Sequence, residues 1–87
     1  MYIILTYDVS ERKVAAVNKL LKKYLTWTQN SVFEGELSKG LLKKCLSEVR
    51  KIINKNEDSV YVYTVEIADH LKKEVIGIQK NYDDIII

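Results

Sequence analysis

Thr26 to Leu37 reads TWTQNSVFEGEL, and how these twelve residues divide decides the fold. The run is rich in β-branched and aromatic residues and breaks near its middle at Asn30 and Ser31. Asn tolerates the left-handed backbone of a tight turn, so the spacing predicts a hairpin of two strands, Thr26 to Gln29 and Val32 to Leu37. The alternative is one bent strand.

Both flanks carry helical spacing. Upstream, Val14, Val17, Leu21 and Tyr24 advance by three, four and three residues, with Leu20 and Leu25 beside them. Glu11 to Leu25 therefore reads as an amphipathic helix opened by a Ser10 cap. Downstream, Leu42, Cys45, Leu46, Val49, Ile52 and Ile53 keep the same period from a Ser38 cap towards Lys55. Further out lie strands: Tyr2 to Tyr7, ending in Asp8, and Val60 to Val65, which follows the polar turn Asn56 to Ser59. A polar connection through Asp69 and His70 leads to Val75 to Gln79, expected as a further strand, and the sequence given closes on Ile85, Ile86 and Ile87.

Strand, helix, hairpin, helix, strand makes two crossovers sharing one sheet, with both helices on one side. The expected architecture is α+β, a ferredoxin-like βαββαβ sandwich with an additional C-terminal strand. Two helices cover only one face. Tyr2, Ile4 and Thr6 alternate with Ile3, Leu5 and Tyr7, so the uncovered face is also largely apolar. A symmetric homodimer covers such a face with its own copy. Tyr2, Ile4 and Thr6, together with Ile85, Ile86 and Ile87, are the expected dimer-interface residues.

With 87 residues, one domain spanning 1–87 is expected, because a chain this short buries only about 60–65% of its unfolded surface. The single cysteine, Cys45, allows no internal disulfide and fits a reducing compartment. Met1 to Tyr7 lacks the flanks of a signal peptide, and no stretch approaches the ~20 apolar residues of a membrane span. A complete cytoplasmic protein without a membrane partner is expected.

The formal net charge is only +2, but it is unevenly placed. The two helical segments hold eleven of the fourteen Lys and Arg and two of the twelve acids, a net +9 against −7 elsewhere. Lys19, Lys22, Lys23, Lys43, Lys44, Arg50 and Lys51 thus form a candidate surface for a phosphate backbone, which attracts cations without reading sequence. A plain solvated lysine face is the competing explanation.

Several segments together resemble the CRISPR-associated "Cas two" endoribonuclease family. They are the first strand closing in Tyr7 and Asp8, WTQNSVFEGEL from Trp27 to Leu37, EDSVYVY from Glu57 to Tyr63, and KEVIGI from Lys73 to Ile78. The resemblance implies a homodimer of ferredoxin-like protomers, with a C-terminal extension at about 78–87 pairing with the partner protomer's sheet. It implies a metal site, Mg2+ or Mn2+, at Asp8 opposite its symmetry mate, with Asp8 also catalytic. It implies cleavage of RNA, and in some members of double-stranded DNA, and partnership with the CRISPR integrase in capturing spacers. Tyr7, Ser10, Arg12 and Lys13, close to Asp8, join the expected nucleic-acid contacts. One departure concerns arginine: many relatives carry further arginines after the aspartate, whereas here Arg12 is followed by Lys13, which cannot clamp a phosphate with two parallel bonds.

Magnesium keeps several waters and is often held by one or two carboxylates plus substrate phosphate, so one Asp8 per chain suffices in a dimer. Without that resemblance, Asp8 reads as an ordinary strand-ending, turn-starting aspartate. His70 stands alone, which argues against zinc. Ser10 and Ser31 have no histidine near them in sequence and read as cap and turn residues. Trp27 and Phe33 could stack on bases, though packing explains both. Glu34 and Glu36 alternate on a strand and are expected to face solvent. Other functions for the same fold are a non-catalytic DNA-binding scaffold, a toxin-type ribonuclease and a small-molecule regulatory module.

Overall fold

The structure is a computed structural model that describes residues 1–66 and 74–78. Strand β1 (Tyr2–Asp8) leads through a single 3-10 turn, Glu11–Lys13, into helix α1 (Val14–Leu21). Strands β2 (Thr26–Gln29) and β3 (Val32–Glu36), helix α2 (Lys39–Ile52) and strand β4 (Ser59–Val65) follow. The sheet order is β2-β3-β1-β4, and every neighbouring pair is antiparallel. This is the ferredoxin-like arrangement expected from the element order.

The hairpin reading of Thr26 to Leu37 holds. Asn30 takes φ 44°, and the turn is tied by the Trp27 indole N–H donating to the Asn30 carbonyl at 2.9 Å. The Thr28 hydroxyl donates to the Val32 carbonyl at 3.1 Å beside a register shift between Trp27 and Gln29. That irregularity twists the exposed edge strand away from regular pairing. Gly35 lets β3 pass close to Leu25, whose Cδ2 lies 3.3 Å from where a Cβ would sit.

Burial alternates along β1: Ile3, Leu5 and Tyr7 face the helices and are buried, whereas Tyr2, Ile4 and Thr6 are half-buried on the other face and Asp8 is exposed. Phe33 from β3 fills the centre beneath Val17, Leu20 and Leu21 of α1 and Cys45 and Val49 of α2. Each such buried side chain contributes roughly 1.5–3 kcal/mol. Cys45 is core, as its spacing implied, and burial pushes its thiol up to about 11.

Several sequence expectations need correction. The first helix does not run from Glu11 to Leu25: it starts as a 3-10 turn and tightens at its end through Lys23 N–H to Leu20 O and Tyr24 N–H to Leu21 O bonds. Ser38 caps α2, accepting from the Leu41 N–H at 3.2 Å, but that helix stops at Ile52 because Ile53 is extended. Ser10 occupies its expected cap position without a side-chain cap bond, and its Oγ is buried with no hydrogen-bond partner among the described residues. Glu34 is not solvent-facing: it is buried and accepts from the Tyr2 hydroxyl at 2.9 Å, while Glu36 is exposed as expected. Burial and that bond push the Tyr2 phenol up to about 12. Residues 74–78 form no strand, with Gly77 at φ 103°. Asp69, His70, Gln79 and Ile85 to Ile87 lie outside the described residues.

Candidate active site and nucleic-acid interface

Asp8 is the last residue of β1, paired across the sheet with Ser59, the first of β4. Strand alternation puts it on the same face as Tyr2, Ile4 and Thr6, away from the helices. Its carboxylate is exposed and has no hydrogen-bond or ion-pair partner among the described residues. Beside it on that face stand Tyr61, opposite Thr6, and Tyr63, opposite Ile4, both more than half exposed. Val60 and Val62, opposite Tyr7 and Leu5, turn to the helix side. The open face therefore carries two exposed tyrosines beside half-buried Ile4 and Thr6, with Glu34, opposite Ile4 and bonded to Tyr2, on one flank and the uncommitted Asp8 carboxylate at one end.

Among the described residues no three His, Cys, Asp or Glu side chains gather into a metal cluster. Among the described residues, the uncommitted hard oxygen donor at this end of the open face is Asp8. That donor fits magnesium, which needs few protein ligands, when a second copy supplies its own Asp8.

The loop after Asp8 is held by a residue that local sequence patterning left inside a polar turn. Asp58, with a side chain wholly removed from solvent, accepts the Ser10 N–H at 3.0 Å through Oδ1. Its Oδ2 accepts the Asn54 N–H at 2.8 Å and the Lys13 ammonium at 2.6 Å. The Asn54 amide and then Lys13 hold this carboxyl down at about 2, overcoming its burial. Lys13 also reaches Glu57 at 3.0 Å, and Arg12 meets Glu57 at 3.5 Å.

Placement divides the expected nucleic-acid contacts. Tyr7 is buried on the helix side, where its hydroxyl donates to Asn18 Oδ1, so it is a core residue. The Ser10 hydroxyl is buried, and the Lys13 ammonium, with 12% of its side chain exposed, is committed to Asp58 and Glu57. Strand alternation turns Tyr7 inward, and the loop that closes on Asp58 behind Asp8 takes Ser10 and Lys13. Arg12 remains 76% exposed. On the helices, Lys19, Lys22, Lys43, Lys44, Arg50 and Lys51 are exposed. Lys23 is exposed but bonded to Glu48 at 3.1 Å, and Glu48 also accepts from the Tyr24 hydroxyl. Lys19, Lys23 and Lys51 rim a groove of about 400 Å³ floored by Ala16, Leu20 and Ile52. Asp8 and the helical cations thus lie on opposite sides of the sheet. Trp27 and Phe33 serve packing, Phe33 completely buried and Trp27 against the core.

With this geometry in place, comparison with known proteins is decisive. The family described as "CRISPR associated protein Cas2" matches residues 1–73. The chain belongs to the Cas2 family. It is 52% identical over 79 residues to the CRISPR-associated endoribonuclease Cas2 3 of Thermodesulfovibrio yellowstonii, covering 91% of this chain and 90% of that one. It is 44% identical over 86 residues to the CRISPR-associated endoribonuclease Cas2 of Thermotoga maritima, covering 99% of both. A crystal structure of Cas2 that is 44% identical superposes with a TM-score of 0.81, over 92% of this chain and 90% of that chain. Cas2 of Streptococcus pyogenes, crystallised at pH 6.5, gives a TM-score of 0.75 at 26% identity, covering 88% of this chain and all of that one.

Set in a Cas2 chain, two features escaped sequence reasoning. Tyr61 and Tyr63 read only as part of the Val60 to Val65 strand, although the period of two from Val60 could have assigned them to the open face. Asp58 gave no local signal beyond its place in the EDSV segment, because its partners lie 45 to 48 residues upstream and four residues before it. No helix among the described residues is long and apolar enough to cross a membrane.

Proposed function

We propose that this Cas2 protein is a metal-dependent endonuclease of CRISPR adaptation, acting on RNA and possessing the surface to hold a DNA duplex, and working as a symmetric homodimer with Asp8 as its metal ligand. The observation that carries the reading is the exposed, uncommitted Asp8 carboxylate at the end of an uncovered sheet face, in a chain whose relatives are named endoribonucleases. Burying the Tyr2, Ile4, Thr6, Tyr61 and Tyr63 face against its copy removes apolar surface from water and brings two Asp8 carboxylates towards one axis.

Magnesium, or manganese in its place, supplies Lewis-acid polarisation of a phosphoryl oxygen and lowers the pKa of nearby water. The two Asp8 carboxylates of a dimer would hold that cation and offset its charge. Arg12, exposed beside the same loop, contributes positive charge to the phosphate. Hydrolysis then forms one bond from water oxygen to phosphorus and breaks one ester bond in line, with the proton released to solvent and the leaving oxygen reprotonated.

The test uses purified protein with labelled RNA and duplex DNA, with and without Mg2+, beside Asp8→Ala. Metal-dependent cleavage lost in the variant supports the reading. Cleavage persisting in Asp8→Ala removes it.

The separation of the helical cations from Asp8 favours a second role for the same protein. Lys19, Lys22, Lys43, Lys44, Arg50 and Lys51 face away from the dimer surface, where they can hold a DNA backbone while the CRISPR integrase acts on its ends. In that scaffold role Asp8 is dispensable and the compartment is the cytoplasm, where the DNA lies.

A further inference from the structure

We infer that Asp58 is the positioning residue for Asp8, holding both its backbone and that of its cross-strand partner from one buried carboxylate. The inference rests on the nuclease reading of Asp8 for its functional consequence, and on geometry alone for its structural one.

Two fixed points define the argument. Ser10 lies two residues beyond Asp8, and its N–H donates to Asp58 Oδ1 at 3.0 Å. Ser59 lies one residue beyond Asp58 and is the Cα partner of Asp8 across the sheet. With consecutive Cα atoms 3.8 Å apart, anchoring Ser10 leaves Asp8 at most about 7.6 Å from a fixed amide. The last pair of the β1–β4 ladder is therefore gripped from both strands. Asp58 Oδ2 adds the Asn54 N–H, just beyond the end of α2, and the Lys13 ammonium in the turn before α1. One carboxylate thus joins the segment leading into α1 and the connection from α2 to β4 at the place where β1 delivers Asp8.

Strand ends fray, and an exposed carboxylate on a fraying end would explore several positions. A shared ion site built from one ligand per chain has little tolerance for that freedom, since no neighbouring ligand corrects it. Groups that orient a metal ligand typically change metal affinity or activity by about 10- to 100-fold when removed. Asp58 acts here through the backbone rather than by touching Asp8.

The experiment compares wild type with Asp58→Asn, which keeps the shape, and with Ser10→Pro, which removes the N–H donor together with the buried hydroxyl at a backbone φ of −58° that proline accepts. Cys45→Ala, a buried core change away from this loop, sets the reference for general loosening. Amide hydrogen exchange and Mn2+ binding are measured on the folded full-length chain, and cleavage is measured as kcat and KM. Both loop variants should lose protection at residues 8, 9 and 59 while Ile3 to Leu5 stay protected. They should bind Mn2+ about 10- to 100-fold more weakly and lower kcat by a similar factor, with KM for nucleic acid changed less than about threefold. Cys45→Ala should loosen the protein without changing Mn2+ affinity.

Exchange that rises uniformly along β1 and β4, or Mn2+ affinity that tracks stability equally in the loop and core variants, overturns the inference and leaves Asp58 a general fold staple. A wild-type chain with no Asp8-dependent Mn2+ binding defeats the nuclease reading instead. In that case the exchange pattern still decides whether Asp58 fixes Asp8.

Discussion

Asp58 and Lys13 meet at 2.6 Å with the carboxylate wholly buried, joining segments 45 residues apart directly behind the exposed end of β1. The pair is fully hydrogen-bonded on the acid side, by two backbone amides as well as the ammonium. Removing one partner of such a pair leaves the other buried and uncompensated, which is why these contacts govern acid stability.

The Asp58 carboxyl titrates at about 2 in the fold against an ordinary value of 3.8, held down first by the Asn54 amide and then by Lys13. Because the folded value is depressed, its stabilising contribution is complete above about pH 4. It is lost as pH falls from there towards about 2, where the unfolded chain has already taken up its proton. Thermal melts of wild type between pH 7 and pH 2 should show this loss, and Asp58→Asn should lack that portion of the pH dependence while melting lower at neutral pH. Parallel curves for the two proteins across that window would refute the assignment.

Asp8→Ala separates chemistry from folding. Asp8 is exposed and has no hydrogen-bond or ion-pair partner among the described residues, so its loss should move the melting temperature by no more than about 3 °C. Metal-dependent cleavage should fall at least about 100-fold, the scale expected when several kcal/mol of charge stabilisation is removed. Differential scanning fluorimetry beside a cleavage assay checks both, and a large drop in melting temperature would contradict the exposed placement.

Element type and order were legible because they rest on periodicity. The stripe Val17, Leu20 and Leu21, the alternation Ile3, Leu5 and Tyr7, and the Asn30 turn each carry their signal within a few residues. The metal role of Asp8 is an expectation from resemblance alone, since Asp at a strand end is common. What escaped depends on contacts distant in sequence. Glu34 looked like a solvent-facing strand residue until Tyr2, 32 residues away, covered it and supplied a hydroxyl. Tyr7 and Lys13 looked available to nucleic acid until Asn18 and Asp58 claimed their polar atoms. Helix ends were misjudged because 3-10 closure at Tyr24 and the extended Ile53 answer to packing against the sheet, which overrides local propensity.

The lysines should differ in a way that charge counting would miss. Lys22 is exposed, whereas adjacent Lys23 is engaged by Glu48, which accepts at 3.1 Å. If a DNA duplex lies on the helical face, replacing Lys22, Lys43 or Arg50 with Ala should each reduce the slope of log K against log salt by about 1 where that residue meets a phosphate. Lys23→Ala should reduce it less, because its charge is already partly matched. Fluorescence anisotropy across a salt series gives the slopes, and equal effects at Lys22 and Lys23 would show that the Glu48 pairing does not survive binding.

Tyr63 offers the sharpest test of the covered sheet face. It stands opposite Ile4, is 55% exposed in the single chain, and lies on the face that carries Asp8. Placing an uncompensated carboxylate there by Tyr63→Asp should weaken a face-to-face dimer by at least about 100-fold, since burying an unpaired charge costs several kcal/mol. The single chain should keep its fold, because Tyr63 points away from the Phe33 core. Light scattering should then report monomers at concentrations where wild type is dimeric. Cleavage should be lost with the second Asp8, while salt-dependent DNA binding through the helical cations of each chain survives in weakened form. A Tyr63→Asp protein that remains dimeric and cleaves normally would mean that the Asp8 face meets its copy elsewhere, or not at all.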